Sequence, residues 1–132
     1  MYFSKQEVEL IRAAAAAMPL GGARDSGKAQ LSSLTDYAAA GTLDALIMDI
    51  DARERGGKLR SDAADTLGAL LSALSLSEEE IRRLPDAKDE RQRERALAHK
   101  RAMALRYVNK LRTAGFARPP AHRRPGPGSG RR

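Results

Sequence analysis

The sequence predicts an all-α fold, a compact bundle of five to six helices with a disordered basic C-terminal tail. Three observations predict it. The 132 residues hold 24 alanines but only 4% aromatics and no Trp, so the core must be built from Ala, Leu, Ile, Val and Met, a helix-favouring set. No segment alternates apolar and polar residues with period two over a useful length; apolar residues recur instead at spacings of three and four. Helix start and stop signals also recur along the chain.

The elements follow in order. Ser4 and Glu7 form a capping box, flanked by Phe3 and Val8 at the staple positions. Val8, Ile11, Ala15 and Met18 then make one apolar stripe, ended by Pro19 and the Gly21–Gly22 pair. A loop is expected through about residue 28 and a second helix over about 30–40, broken at Gly41. Thr42 caps a third helix whose Leu43, Leu46, Ile47 and Ile50 share a face, until Gly56 and Gly57 stop it. Ser61 is read as the cap of a fourth helix, with Leu67, Leu70, Leu71 and Leu74 at core spacing. Ser77 and Glu80 form a second capping box, opening a short helix closed by Pro85, and Ile81 and Leu84 are expected to bury against Leu70 and Leu74. The longest helix is expected over about 87–114, stopped by Gly115.

Charge divides the chain into two domains of behaviour. Residues 1–85 carry 10 basic and 13 acidic side chains, a net −3, whereas residues 86–132 carry 14 basic and 4 acidic, a net +10. Residues 1–114 are therefore read as the helical domain and 115–132 as a tail. Residues 116–132 hold four of the six prolines, three glycines and five arginines, too little apolar surface to offset the entropy of ordering.

Several function classes fall away. Without cysteine there is no disulfide scaffold, Cys-based zinc site or thiol nucleophile. The longest uncharged runs, 13–23 and 66–77, are shorter than the roughly 18–20 residues of a membrane span. Glu7 and Glu9 stand where a signal peptide would be positive, so a soluble, cytoplasmic protein is expected. Gly22, Gly27 and Lys28 match the first positions of a phosphate-binding loop, but Ala29 replaces the magnesium-binding hydroxyl and the flanks are helical rather than β. Asp49 in Leu46-Ile-Met-Asp49 lacks a sheet to make it a second phosphate-site acid. Asp49, Asp51 and Glu54 fail as a calcium loop, because Glu54 stands where glycine is needed and Arg60 where the bidentate Glu is needed. His99 and His122 have no second ligand or nucleophile nearby in sequence. No enzyme activity and no cofactor are expected.

The segment from Leu70 through Leu84, with apolar residues at 70, 74, 76, 81 and 84, resembles a helix-turn-helix. It departs from that motif at Leu71 and Ser75, and Glu78, Glu79 and Glu80 would meet phosphates at the start of the recognition helix. A plain αα-hairpin accounts for the same pattern.

The long helix carries the functional expectation. At 100° per residue, Leu97, Ala104, Val108 and Leu111 fall on one side, beside Ala96, Met103 and Tyr107. Arg91, Arg95, His99, Arg106 and Lys110 gather on the opposite side within roughly 100° of arc. Past Glu94 there is no acidic residue. Non-enzymatic binding to nucleic acid is expected, with phosphate contacts from Arg91, Arg95, Arg101, Arg106 and Lys110 and from Arg118, Arg123, Arg124, Arg131 and Arg132 of the tail. The alternative is a helical protein-interaction module, an assembly subunit, adaptor or inhibitor that grips an acidic partner surface through the same cations. A homo-oligomer is compatible with either reading, and no membrane partner is expected.

Overall fold

The computed structural model describes residues 3–18 and 27–114. Among them are six helices and no strand: α1 (Lys5–Ala16), α2 (Gly27–Ala40), α3 (Leu43–Arg55), α4 (Ser61–Ala73), α5 (Glu78–Arg82) and α6 (Glu90–Ala114). The all-α bundle expected from the sequence is the observed architecture. The tail expected at 115–132 and residues 19–26, where a loop is expected, lie outside the described residues.

Five helices close into a ring. α6 packs against α1 and α2, α1 against α4, α4 against α3, and α3 against α2. Each helix presents its apolar stripe inward, and the enclosed core gathers Ile11, Leu31, Leu34, Leu46, Ile50, Leu67, Leu70, Leu71, Leu105 and Val108. Each such side chain contributes roughly 1.5–3 kcal/mol on leaving water. Ala14, Ala15 and Ala104 are fully buried between them. Their methyl groups let the helices approach closely, which lets a core almost without aromatics exclude water.

Local signals set most boundaries. Both capping boxes form: the Ser4 hydroxyl accepts from the Glu7 amide at 3.1 Å and the Ser77 hydroxyl accepts from the Glu80 amide at 3.1 Å, each Glu reaching back to its cap. The Thr42 hydroxyl accepts from the Ala45 amide, as its cap position requires. α3 ends in a Schellman motif, in which the Lys58 amide donates to the Arg53 carbonyl and the Gly57 amide to the Glu54 carbonyl. Gly57 takes φ +75 there, a region only glycine enters without strain.

Three boundaries differ from expectation. α2 begins at Gly27, so Gly27 and Lys28 form helix rather than loop. The cap of α4 is Arg60, without a side-chain cap bond, and Ser61 is already helical. The first turn there is held by Asp62, which accepts from the Ala63 amide and pairs with Arg60 at 3.2 Å. α6 starts three residues late, because the Asp89 carboxylate accepts from the Arg91 amide and makes Asp89 the cap.

The fifth helix departs most. α5 holds five residues and contributes no buried side chain. Leu70 and Leu74 are buried in the core as expected, but Ile81 and Leu84 are only half-buried and stand apart from it. α5 and the connection that follows it, residues 83–89, lie outside the ring, with Glu80 bonded to Lys100 of α6.

Candidate functional site

α6 is the element from which the candidate site is built. At about 1.5 Å per residue it runs for roughly 37 Å, and its two sides have different work. The inward side carries Ala98, Ala102, Ala104, Leu105 and Val108. Its centre is Leu105 rather than Leu97, because α1 and α2 cover two flanks of the helix; Leu97 and Leu111 sit half-buried at the margin.

Arg91, Arg95 and His99 toward the N-terminal end of α6 and Arg106 and Lys110 toward its C-terminal end are all exposed, with the buried Ala102 between the two groups. None of the four Arg and Lys side chains has a carboxylate within ion-pair distance among the described residues. Arg106 lines a shallow depression of about 200 Å³ against α2, together with Ser32, Asp36 and Asn109. Arg95 and His99 line a larger groove of about 560 Å³ with Leu76, Arg83, Leu84, Pro85, Gln92 and Ala96.

Arg101 is a correction to the sequence reading. It is 4% exposed and pairs with Glu94 at 3.3 Å, so it is not available to a phosphate. Its wheel position lies only about 40° from Leu97. Helical geometry already put it on the docking side, and counting charge alone concealed this. Arg112 is buried on the same side, donating to the Asn109 side chain at 2.8 Å. Arg118, Arg123, Arg124, Arg131 and Arg132 lie outside the described residues.

Sequence reasoning missed the cation that organises this end of the fold. Lys100 is 1% exposed; its ammonium donates to the Ser75 carbonyl and to Glu80 Oε1, both at 2.7 Å. Glu7 Oε1 lies 3.7 Å away, and the Phe3 ring centroid 5.6 Å. Glu7 Oε2 in turn accepts from the Ser75 amide at 3.2 Å. Both capping-box glutamates thus serve twice, first for their own helix and then for a shared buried lysine. Burial pushes the Glu80 carboxyl up, but the hydrogen bonds from Lys100 and Ser77 and the Lys100 charge outweigh it and hold it below its ordinary 4.5. The helical wheel puts Lys100 about 60° from Leu97 and about 40° from Ala104, on the docking side, but nothing local points to Glu7, Ser75 and Glu80 as its partners.

The other sequence motifs take structural places. Lys28 is exposed in the first turn of α2. Asp49 binds Arg53 at 2.9 Å on α3. That Arg53 also donates to Gln30 and Ser33, each at 2.7 Å, and stacks on Tyr37, so it ties α3 to α2. Asp51 and Glu54 lie on the same helix, and no group of three or more His, Asp or Glu side chains gathers for a metal among the described residues. The segment resembling a helix-turn-helix is α4, a four-residue connection and a would-be recognition helix of five residues, of which Glu80 faces Lys100 rather than solvent. Among the described residues no helix is long and apolar enough to cross a membrane. Comparison with protein-family models, curated proteins and solved structures finds no match to the chain.

Proposed function

We propose that the protein is a non-enzymatic nucleic-acid-binding protein that grips the phosphate backbone through the outward side of α6. The observation that carries this reading is the row of four exposed cations without carboxylate partners, Arg91, Arg95, Arg106 and Lys110. The row spans roughly 28 Å, somewhat less than one turn of duplex DNA at about 34 Å. A solvated helix face ordinarily interleaves both signs, as the exposed Arg82, Arg83 and Glu79 do on α5. α6 beyond Glu94 carries no acid, and its cations lead toward the five arginines of residues 116–132. Each phosphate neutralised releases counterions, so affinity comes from charge with little base reading.

The test is fluorescence anisotropy on random duplex DNA and on single-stranded RNA across a salt series. With about six contacts, affinity falls on the order of a thousandfold between 50 and 200 mM salt. Arg95→Ala, Arg106→Ala and Lys110→Ala together flatten the logarithmic slope by about three units while far-UV circular dichroism stays unchanged, since all three project from the bundle. Asp36→Asn, which removes the carboxylate beside Arg106, strengthens binding. Should neither nucleic acid bind tighter than about 100 µM at 50 mM salt, a range expected of even non-specific binders, the reading fails.

A further inference from the structure

The groove between α5 and α6 lies outside the core and shares only Arg95 with the cations assigned to phosphate. Its floor is formed by Leu76, Leu84, Pro85 and Ala96, apolar side chains that stay partly in water although an all-helical ring with a full core lies beside them. Its rim carries Arg83, Arg95 and His99, all exposed. The one carboxylate in its wall, Glu80, is already held by Lys100 at 2.7 Å, and the exposed Glu79 beside it lies 3.7 Å from Arg83 and 3.0 Å from Arg82. Arg82, Arg83 and Arg95 together outnumber Glu79, so positive charge remains in excess around an apolar floor. About 560 Å³ is within the size range of built binding sites, roughly 300–1,000 Å³.

We propose that this groove docks an acidic amphipathic helix of a partner protein. Such a helix lays apolar side chains at i, i+3 or i+4, and i+7 onto a groove floor. Aspartates or glutamates at the margins of that stripe then meet Arg83 and Arg95. The charge selects this occupant over the others. Residues 116–132 of the same chain hold five arginines and no acid, and would be repelled by the rim. Phosphodiester backbone satisfies the rim but leaves Leu76, Leu84 and Ala96 uncovered. A small apolar acid would meet the floor with one side only, because Leu76, Leu84 and Ala96 are themselves only half-buried; a helix covers them. Docking there also completes α5, which contributes no buried side chain to the protein alone. The site overlaps the phosphate reading at Arg95 alone; Arg83 and Leu84, which that reading does not use, tell the two apart.

The experiment selects binders of the full chain from a displayed library of helical peptides of about 18 residues, or five turns, in which both charge sign and apolar positions vary. Selected peptides are expected to be acidic with one apolar stripe, and their binding is read by anisotropy. Leu84→Glu and Arg83→Glu each weaken it by about tenfold or more. Arg106→Ala with Lys110→Ala leaves it unchanged. Arg83 is exposed, so its variant reports on the groove even if Leu84→Glu perturbs the fold. Amide exchange slows over residues 76–99 on peptide addition. A library that yields no binder, or yields basic peptides, or peptides indifferent to both groove variants, overturns the proposal. So does a duplex of about 20 base pairs, two turns, whose affinity falls as much with Arg83→Glu and Leu84→Glu as with the Arg106 and Lys110 pair, for that assigns the groove to nucleic acid.

Discussion

Lys100 shows how much one buried charge commits a fold to. An ammonium taken out of water is stable only while its partners remain, and here Glu80, the Ser75 carbonyl and Glu7 surround it. Lys100→Ala leaves two carboxylates without their cation and is expected to destabilise the protein by about 3–5 kcal/mol in urea unfolding. Combining Lys100→Met with Glu7→Gln and Glu80→Gln is expected to restore most of that loss, because glutamine still closes a capping box and no charge is left buried. If the triple variant is as unstable as Lys100→Ala, the lysine acts through packing instead. The depressed Glu80 carboxyl gives the same node a pH signature. A group whose pKa is lower folded than unfolded adds stability above its unfolded value, and that stability is lost as pH falls through the folded one. The stability difference between the protein and Glu80→Gln should therefore be full above pH 4.5 and shrink below it. A difference constant from pH 7 to pH 3 would show that charge plays no part.

Helices differ in what holds them. α4 is anchored by four leucines of which Leu67, Leu70 and Leu71 are completely buried and Leu74 nearly so, and Leu74→Ala is expected to cost about 2–5 kcal/mol. Leu84, half-buried at the groove, should cost well under that on the same change, and equal losses would mean that α5 packs more tightly than its exposure shows. The end of α3 depends on backbone conformation alone. A Cβ at Gly57 meets nothing within 4 Å, so Gly57→Ala tests left-handed strain without steric interference and should cost roughly 1–2 kcal/mol. Thermal melting measures all three.

At the scale of the whole molecule, the ring of five helices uses one side of α6 to close itself and leaves the other free. Three of its cations, Lys100, Arg101 and Arg112, are spent inward, and the exposed charge is correspondingly smaller than composition indicates. Because the core is assembled from residues between 11 and 108, deleting residues 116–132 is expected to leave the melting temperature unchanged. The same deletion should flatten the salt dependence of nucleic-acid binding by up to about 0.9 per arginine removed. A large drop in melting temperature would place those residues in the fold, and an unchanged slope would remove them from the interface.

Sequence alone determined the helical class, both capping boxes, the leucine face of α4 and the exposed cations at 91, 95, 106 and 110, because each follows from spacing within a few residues. Even the burial of Arg101 was legible in its wheel angle. The tertiary structure alone decided three things. Glu7, Ser75, Glu80 and Lys100 meet although Glu7 lies 68 residues from Ser75 and still further from Lys100 in sequence, which no local pattern encodes. The buried side of α6 is centred on Leu105 because α1 and α2 pack on two flanks, and amphipathic periodicity cannot count neighbours. Ile81 and Leu84 keep apolar spacing yet remain outside the core, because the ring closes on five helices without the short α5, leaving the groove whose floor Leu84 helps to form.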